Sequence, residues 1–381
     1  MRFILPLIFI LFILASCSSG KRNSKKQNQV KASSIVKVRF ASGFDIQDFG
    51  TYEMITVHNP WQQAEDVTYQ YVLSNSDSLP SGMDVKNVIR VPVKKIICLS
   101  TTHLGFLQFI DEIDAVVGVS GMRYVTNATI HNKFKKGEIY DIGYDENINY
   151  EQIIRLQPDL VIAYGVSGAE TSYLGKLKDM GIRVMYVGEY LEENPLAKME
   201  WVKVFAALFC KEQIITHKFD SVANHYKALT AKVLQKKNKP EVLLGLPWKG
   251  TWYVSGGKSY VARLISDAGG NYLWKDLDFS DSRPMGLETI FAKALKADYW
   301  LNTSTATTIR EILEVDERFA NLRAVKNGDV YNYNKLTEKS GGNAYFEKGV
   351  VEPDIILEDL ISILHSDVLP SHQLKYYQKL K

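Results

Sequence analysis

Residues 149–165 read NYEQIIRLQPDLVIAYG, and residues 286–302 read GLETIFAKALKADYWLN. Each copy opens on a glutamate, Glu151 or Glu288, followed by an apolar pair (Ile153 and Ile154, or Ile290 and Phe291). An aspartate, Asp159 or Asp298, and an apolar run complete it. The pattern predicts a short helix, Tyr150 to Leu156 or Leu287 to Leu295, running into a buried strand, Leu160 to Tyr164 or Asp298 to Asn302. A negative charge in a first helical turn gains about 0.3–1 kcal/mol from the helix dipole, which explains one such glutamate. Two glutamates at matching places in two helix–strand units imply two similar lobes.

The surrounding chain agrees. Short strands are expected at Ile96 to Leu99, Ala115 to Val119 and Arg183 to Val187, with helices at Thr102 to Ile110 and Tyr173 to Met180. Strands alternating with helices require crossovers and a mostly parallel sheet. The alternation restarts with strand Glu241 to Leu246, helix Ser259 to Asp267 stopped at Gly269-Gly270, and strand Asp329 to Tyr333. Between the two runs lies the longest helical pattern, from Pro195 to Leu234, with Met199, Val202, Phe205, Ala206 and Phe209 at helical spacing. A final amphipathic helix, Pro353 to Leu364, precedes a polar tail. The expected fold is α/β: two similar lobes with mostly parallel sheets joined by a long helix, plus a small N-terminal β extension.

That extension is read from VKVRFASGFDIQDFGTYEMITVHNP and DVTYQYVLSNSD, where apolar and polar residues alternate between Gly, Asp and Asn breaks. Period two of this kind predicts an antiparallel β unit. Before it, Arg2, the apolar run Phe3 to Ala15 and Leu14-Ala15-Ser16-Cys17 have the form of a secretory signal. Spanning a bilayer takes about 20 apolar residues, so the run is too short for that. Residues 18–34 are rich in Lys and Arg and lack acids, as in a solvated tether. The organisation is therefore 1–17 signal, 18–34 tether, 35–93 β extension packed on the first lobe, 94–190 first lobe, 191–236 linking helix region and 237–381 second lobe. A net charge of +3 without a basic aromatic stripe argues against nucleic acid. Cys98 and Cys210 read as two buried thiols rather than a disulfide framework.

Catalytic and metal motifs are absent. No GxSxG, HExxH or CxxC occurs, and the seven histidines form no HxxxH or HxxH pair, so bare-metal capture is not indicated. SGGKS at 255–259 lacks the P-loop glycine, whose place is held by Trp252. Ligands in open α/β sheets sit beyond the carboxyl ends of strands. This directs attention to STTH with Thr102 and His103, SGMRY with Arg123 and Tyr124, GYDEN with Tyr144, PWKGTWY with Trp248, Trp252 and Tyr253, and SDSRP with Arg283. The aromatic residues would wall a large ligand. Arg283 would face an anionic group or pair with Asp278 or Asp281. Tyr345 and Phe346, in the Gly341-Gly342 loop, would close over the ligand, and His103 would cap a helix or line the pocket.

VKKIICLSTTHLGFLQFIDEIDAVVGVSG, DENINYEQIIRLQPDLVIAYG, LKDMGIRVMYV, GGKSYVARLISDAGGNYLWKDL, RPMGLETIF and FANLRAVKNGDVYNYN occur in that order. This succession, over about residues 93–365, resembles the periplasmic binding proteins of ABC importers for iron siderophores, haem and vitamin B12. The β extension resembles one carried by some Bacteroidetes members. The resemblance implies two lobes bridged by one long helix, a ferric siderophore, haem or cobalamin as transported ligand with no resident cofactor, and a monomer that is not an enzyme. It further implies a permease dimer with its ATPase as partner, docked through Glu151 and Glu288. The Leu-Ala-Ser-Cys ending resembles a lipobox, which implies a lipid on Cys17 and a protein anchored to a membrane and facing the periplasm. An enzyme remodelling a tetrapyrrole in the same cleft, or a structural lipoprotein, are the rival readings.

Overall fold

A computed structural model describes residues 34–76, 88–144, 147–165 and 172–381. The signal, Cys17 and all of the tether but Ser34 lie outside these residues. Five strands, β1 (Ser34–Ile35), β2 (Phe44–Asp48), β3 (Glu53–His58), β4 (Thr68–Ser74) and β5 (Val88–Arg90), form the extension in that spatial order. Its first three pairings are antiparallel, as the alternation predicts, but β5 joins β4 in parallel, which corrects the wholly antiparallel reading. Alternation reveals a buried face and says nothing about the direction of a partner strand.

The extension shares the main core. Phe44, Ile46, Ile55 and Val57 are buried in the same cluster as the linking helices, and the Phe44 ring lies 4.8 Å from Trp201. Two buried carboxylates fasten residues 39–43. Glu200 accepts the backbone N–H groups of Arg39, Phe40 and Ala41 at 2.7–3.1 Å, together with the Lys203 ammonium at 2.6 Å. Glu192 accepts those of Ser42 and Gly43 and the Trp201 indole N–H. The extension thus packs on the linking helices as well as on the first lobe, where the Tyr71 hydroxyl accepts the N–H of Tyr186 at 3.0 Å.

The first lobe contains β6 (Ile96–Cys98), β7 (Val116–Val119), β8 (Tyr140–Asp141), β9 (Leu160–Ala163) and β10 (Val184–Tyr186), all parallel, in the order β10-β9-β6-β7-β8. Helices α1 (Thr101–Phe109), α2 (Ala128–Lys135), α3 (Tyr150–Leu156) and α4 (Ser172–Asp179) provide crossovers. Each begins where the sequence allows: Ser100 caps α1 and Asn149 caps α3 through their side-chain oxygens.

The expected single linking helix is three: α5 (Pro195–Glu200), α6 (Val202–Leu208) and α7 (Glu212–Leu234). Cys210 takes a left-handed conformation, φ 55°, which no helix continues through. It is exposed, contrary to the expectation of a buried thiol, whereas Cys98 is buried; both are free.

In the second lobe, β11 (Glu241–Leu244), β13 (Asn271–Tyr272), β15 (Tyr299–Leu301), β16 (Val330–Asn332) and β17 (Gln378–Lys379) are ordered β13-β11-β15-β16-β17. The β12 (Trp252–Ser255) and β14 (Ser282–Met285) strands pair antiparallel beside that sheet. Helices α8 (Tyr260–Asp267), α9 (Leu287–Ala294), α10 (Ile309–Val315), α11 (Arg323–Asn327), α12 (Ala344–Glu347) and α13 (Pro353–Leu364) complete it. The tail is not a free polar segment: β17 runs antiparallel to β16, and Tyr376, Tyr377 and Leu380 are buried. Asp359, itself fully buried, accepts the N–H groups of Lys375, Tyr376 and Tyr377 and so pins the tail. The chain is therefore mixed α/β, with mostly parallel sheets in both lobes.

Candidate binding cleft

The carboxyl ends of the two sheets enclose a cavity of about 910 Å³. The first lobe contributes Ser100 after β6, Ser120 and Tyr124 after β7, Tyr144 after β8 and Tyr164 after β9. The second contributes Ser304 and Thr305 after β15, and Tyr333 and Asn334 after β16. Gln378, Asn343 and Phe346 extend this wall.

Asp141, the last residue of β8, shapes the first-lobe side. Its carboxylate accepts the N–H groups of Gly121, Met122 and Gly143 at 2.9–3.1 Å, so one side chain holds both loops that carry Tyr124 and Tyr144. Their rings lie 6.0 Å apart at 57°. Gly121 must be glycine here, because its φ is +69° and a Cβ would press the Tyr124 ring at 3.1 Å. Arg123 lies over the Tyr124 ring, 4.5 Å from its centroid, and donates to its hydroxyl.

Strain marks the opposite wall. Asn302 and Ser304, just beyond β15, both have positive φ, 59° and 55°. Non-glycine residues held this way cost energy and concentrate at functional surfaces. Asn334 steadies this turn by donating to Ala306 O at 2.9 Å, and Gln378 donates to Asn334 at 2.8 Å. Tyr333 stacks on Tyr345 at 4.8 Å and meets Phe346 edge-on at 5.3 Å. Burial, with Tyr260 nearby, pushes the Tyr333 phenol up to about 12, so it stays a neutral donor.

Of the residues predicted from the sequence, Tyr124 and Tyr144 line the cleft, as does Phe346. Others are placed elsewhere. Thr102 gives its hydroxyl to Glu189 at 2.7 Å, although Ser100, bonded to it at 2.8 Å, does reach the cavity. His103 is fully buried with neither ring nitrogen bonded, and burial drives its pKa down to about 3; the α1 cap is Ser100 instead. Trp252 is also fully buried, donating to Leu244 O at 3.1 Å and stacking on Trp300. Its segment is a strand whose side chains alternate sides, so Tyr253 points outward, half exposed. Trp248 is exposed under the Lys249 ammonium. Neither lines the cavity. Arg283 sits on β14, paired with Asp281 at 3.1 Å, and Tyr345 is buried behind Tyr333. The second-lobe turns after β15 and β16, with Ser304, Tyr333 and Asn334, were missed, although the carboxyl-end rule that selected other loops also covers them.

Glu151 and Glu288 occupy the first turns of α3 and α9, both exposed. Arg318 lies 3.4 Å from the Glu288 carboxylate. Among the described residues, no group of three His, Cys, Asp or Glu side chains is arranged to hold a metal ion, and no helix is long and apolar enough to cross a membrane.

Known proteins resemble this chain in sequence or in fold. An uncharacterized lipoprotein of Methanocaldococcus jannaschii, MJ0878, is 30% identical over 82% of this chain and 77% of its own length. The crystal structure of the periplasmic haem-binding protein HutB of Vibrio cholerae is similar at a TM-score of 0.55 and 17% identity, covering 69% of this chain and 97% of that one. A Fe3+-hydroxamate transport protein of Saccharomonospora viridis gives 0.53 and 19%, covering 72% and 94%. The profile of the periplasmic binding protein family matches residues 96–336, the first lobe, the linking helices and the second lobe through β16, and the chain belongs to that family.

Proposed function

We propose that this protein is the substrate-binding lipoprotein of an ABC importer, capturing a ferric siderophore between its lobes and delivering it to a membrane permease dimer with its ATPase. The cleft carries this reading. It offers phenol rings and hydroxyls from both lobes and, among the described residues, no cluster of metal ligands, which suits a metal already wrapped in its own donors. Binding is non-covalent: the aromatic walls cover apolar faces of the complex while Ser100, Ser304 and Asn334 meet its polar atoms. Glu151 and Glu288 then present one negative charge per lobe to a two-fold partner. A lipid on Cys17 would hold the protein, as a monomer, at the membrane facing the periplasm.

Cobalamin or haem is the second reading. It is favoured by the Tyr124 phenol, which the Arg123 guanidinium holds beside the cleft. Titrating the full-length chain with ferric siderophores, haem and cobalamin, and following tryptophan quenching, tests both. Saturable one-to-one binding of one class identifies the cargo, and silence across all three overturns the importer reading.

A further inference from the structure

A second cavity, of about 610 Å³, lies beside the cleft on its β10 side. Tyr190, just past β10, lines it and bonds through its hydroxyl to the carbonyl of Gly165, while Tyr164 lines the cleft. Across the interface, Tyr260 lines the second cavity and Phe346 the cleft, and both border one small void between them. The two spaces are therefore neighbouring compartments of one inter-lobe seam.

Its outer wall comes from the β extension, which lies outside the family match. The β3–β4 loop contributes Trp61, Gln62 and Gln63. This loop is fixed in place. Asn59, Gln63 and Asp66 all have positive φ, 43°, 64° and 57°, and Asn59 closes the loop by bonding Val67 through both its backbone N–H and its side chain. Trp61 meets the Tyr186 ring edge-on at 6.0 Å, and a Cβ on Gly165 would come within 2.9 Å of Trp61, so the loop abuts the first lobe directly. Asn59 and Asp66 enter this region readily, which leaves Gln63 as the one residue held there against its preference.

The compartment is polar and lined by carboxylates as well as amides: Glu192 is committed to the N–H groups of Ser42 and Gly43 and to the Trp201 indole, and Glu193 is exposed. The carboxamides of Gln62 and Gln63 are exposed and make no side-chain hydrogen bond among the described residues. Arg283 is already neutralised by Asp281 and lies 4.1 Å over the Phe279 ring. Amides beside aromatic faces recognise groups that both donate and accept hydrogen bonds. We propose that the extension loop is a specificity element: its compartment takes an amide- or hydroxyl-rich, hydrogen-bond-donating peripheral group of a metal complex whose core occupies the cleft. This rests on the importer reading above.

The test compares two complexes on the full-length chain: a ferric trihydroxamate built on a cyclic peptide, and ferric tris(acetohydroxamate), kept intact by excess acetohydroxamate. The variant is Gln62→Ala with Gln63→Gly, since glycine retains the positive φ; Trp61 stays because it seats the loop. The native chain should bind the peptide-bearing complex at least tenfold more tightly, and the variant should lose most of that preference while its affinity for the bare core is unchanged. A preference retained by the variant overturns the proposal, as does equal binding of both complexes by the native chain. Either result leaves the importer reading standing. Failure of both complexes to bind overturns the proposal, while the importer reading is then decided by the haem and cobalamin titrations.

Discussion

Asp298 and Glu241 are joined by a reciprocal pair of hydrogen bonds: the Asp298 N–H donates to Glu241 O at 2.8 Å, and the Asp298 carboxylate accepts the Glu241 N–H at 2.8 Å. Asp159 repeats this on the first lobe, donating to Lys95 O at 2.9 Å and accepting the N–H groups of Lys94 and Lys95, both at 2.9 Å. The aspartates of the duplicated sequence thus fasten the strand of each unit to the lobe's first strand at its entry. Their spacing from the glutamate differs by two residues because only the aspartate is fixed by the sheet.

Asp159→Ala and Asp298→Ala should each lower stability by about 1–2 kcal/mol, the worth of a charge-assisted backbone bond. Belonging to different sheets, the two losses should add. Urea unfolding of the single and double variants checks this, and an unaffected midpoint in either single variant would refute the fastening role.

Glu151→Ala combined with Glu288→Ala should leave cargo affinity unchanged and abolish import. Both side chains project into solvent from first helical turns, away from the cleft. Uptake assays in cells beside binding titrations separate the two effects; normal uptake by the double variant would sink the docking role.

Glu200→Ala should cost about 3–5 kcal/mol, because it strands the nearly buried Lys203 ammonium as well as three backbone donors of the extension. Adding Lys203→Met should recover part of the loss. Trypsin should also cut after Arg39 faster in the single variant, whose extension is no longer held. Equal cutting rates would contradict the strap.

Burial, and then the nearby Glu212 and Asp48 carboxylates, push Glu53 up to about 7 from its ordinary 4.5. The folded chain therefore holds this proton after the unfolded chain has released it, so stability falls as pH rises through the interval between those values. Glu53→Gln should melt higher than the native chain above pH 7, by about 1 kcal/mol after solvent screening, and the advantage should vanish below pH 4.5. A constant difference across that range would be the wrong sign of behaviour for a titrating group.

His103→Leu should fold at least as stably as the native chain and bind cargo equally well. The imidazole is buried with no bonded nitrogen, and replacing an unsatisfied polar group by an apolar one removes a desolvation cost. Lost cargo binding in a stably folded variant would return His103 to the ligand.

Local pattern made much of the fold legible. Apolar alternation marked the extension, and the Glu–Asp repeat declared two lobes before any contact was known, whereas the caps Ser100, Asn149 and Ser259 are seen in the structure. The cleft was partly legible, because strand ends named the loops of Tyr124 and Tyr144. What the sequence left open depended on partners distant along the chain. Whether Trp252 or Tyr253 faces inward is decided by β14, which pairs with β12 from residues 282–285 and turns an apparent loop into an alternating strand. The linking helix breaks at Cys210 although the apolar spacing continues past it. The tail is a strand because buried Asp359, on α13, gathers its backbone donors. Sequence by itself determined most of the helices and strands of the two lobes and their duplication, since these follow from periodicity within a few residues, and its ordered segments carried the resemblance to the family. Only the tertiary structure decided which aromatic rings reach the cleft, and that the extension walls a neighbouring compartment, because burial and facing are set by segments that meet only on folding.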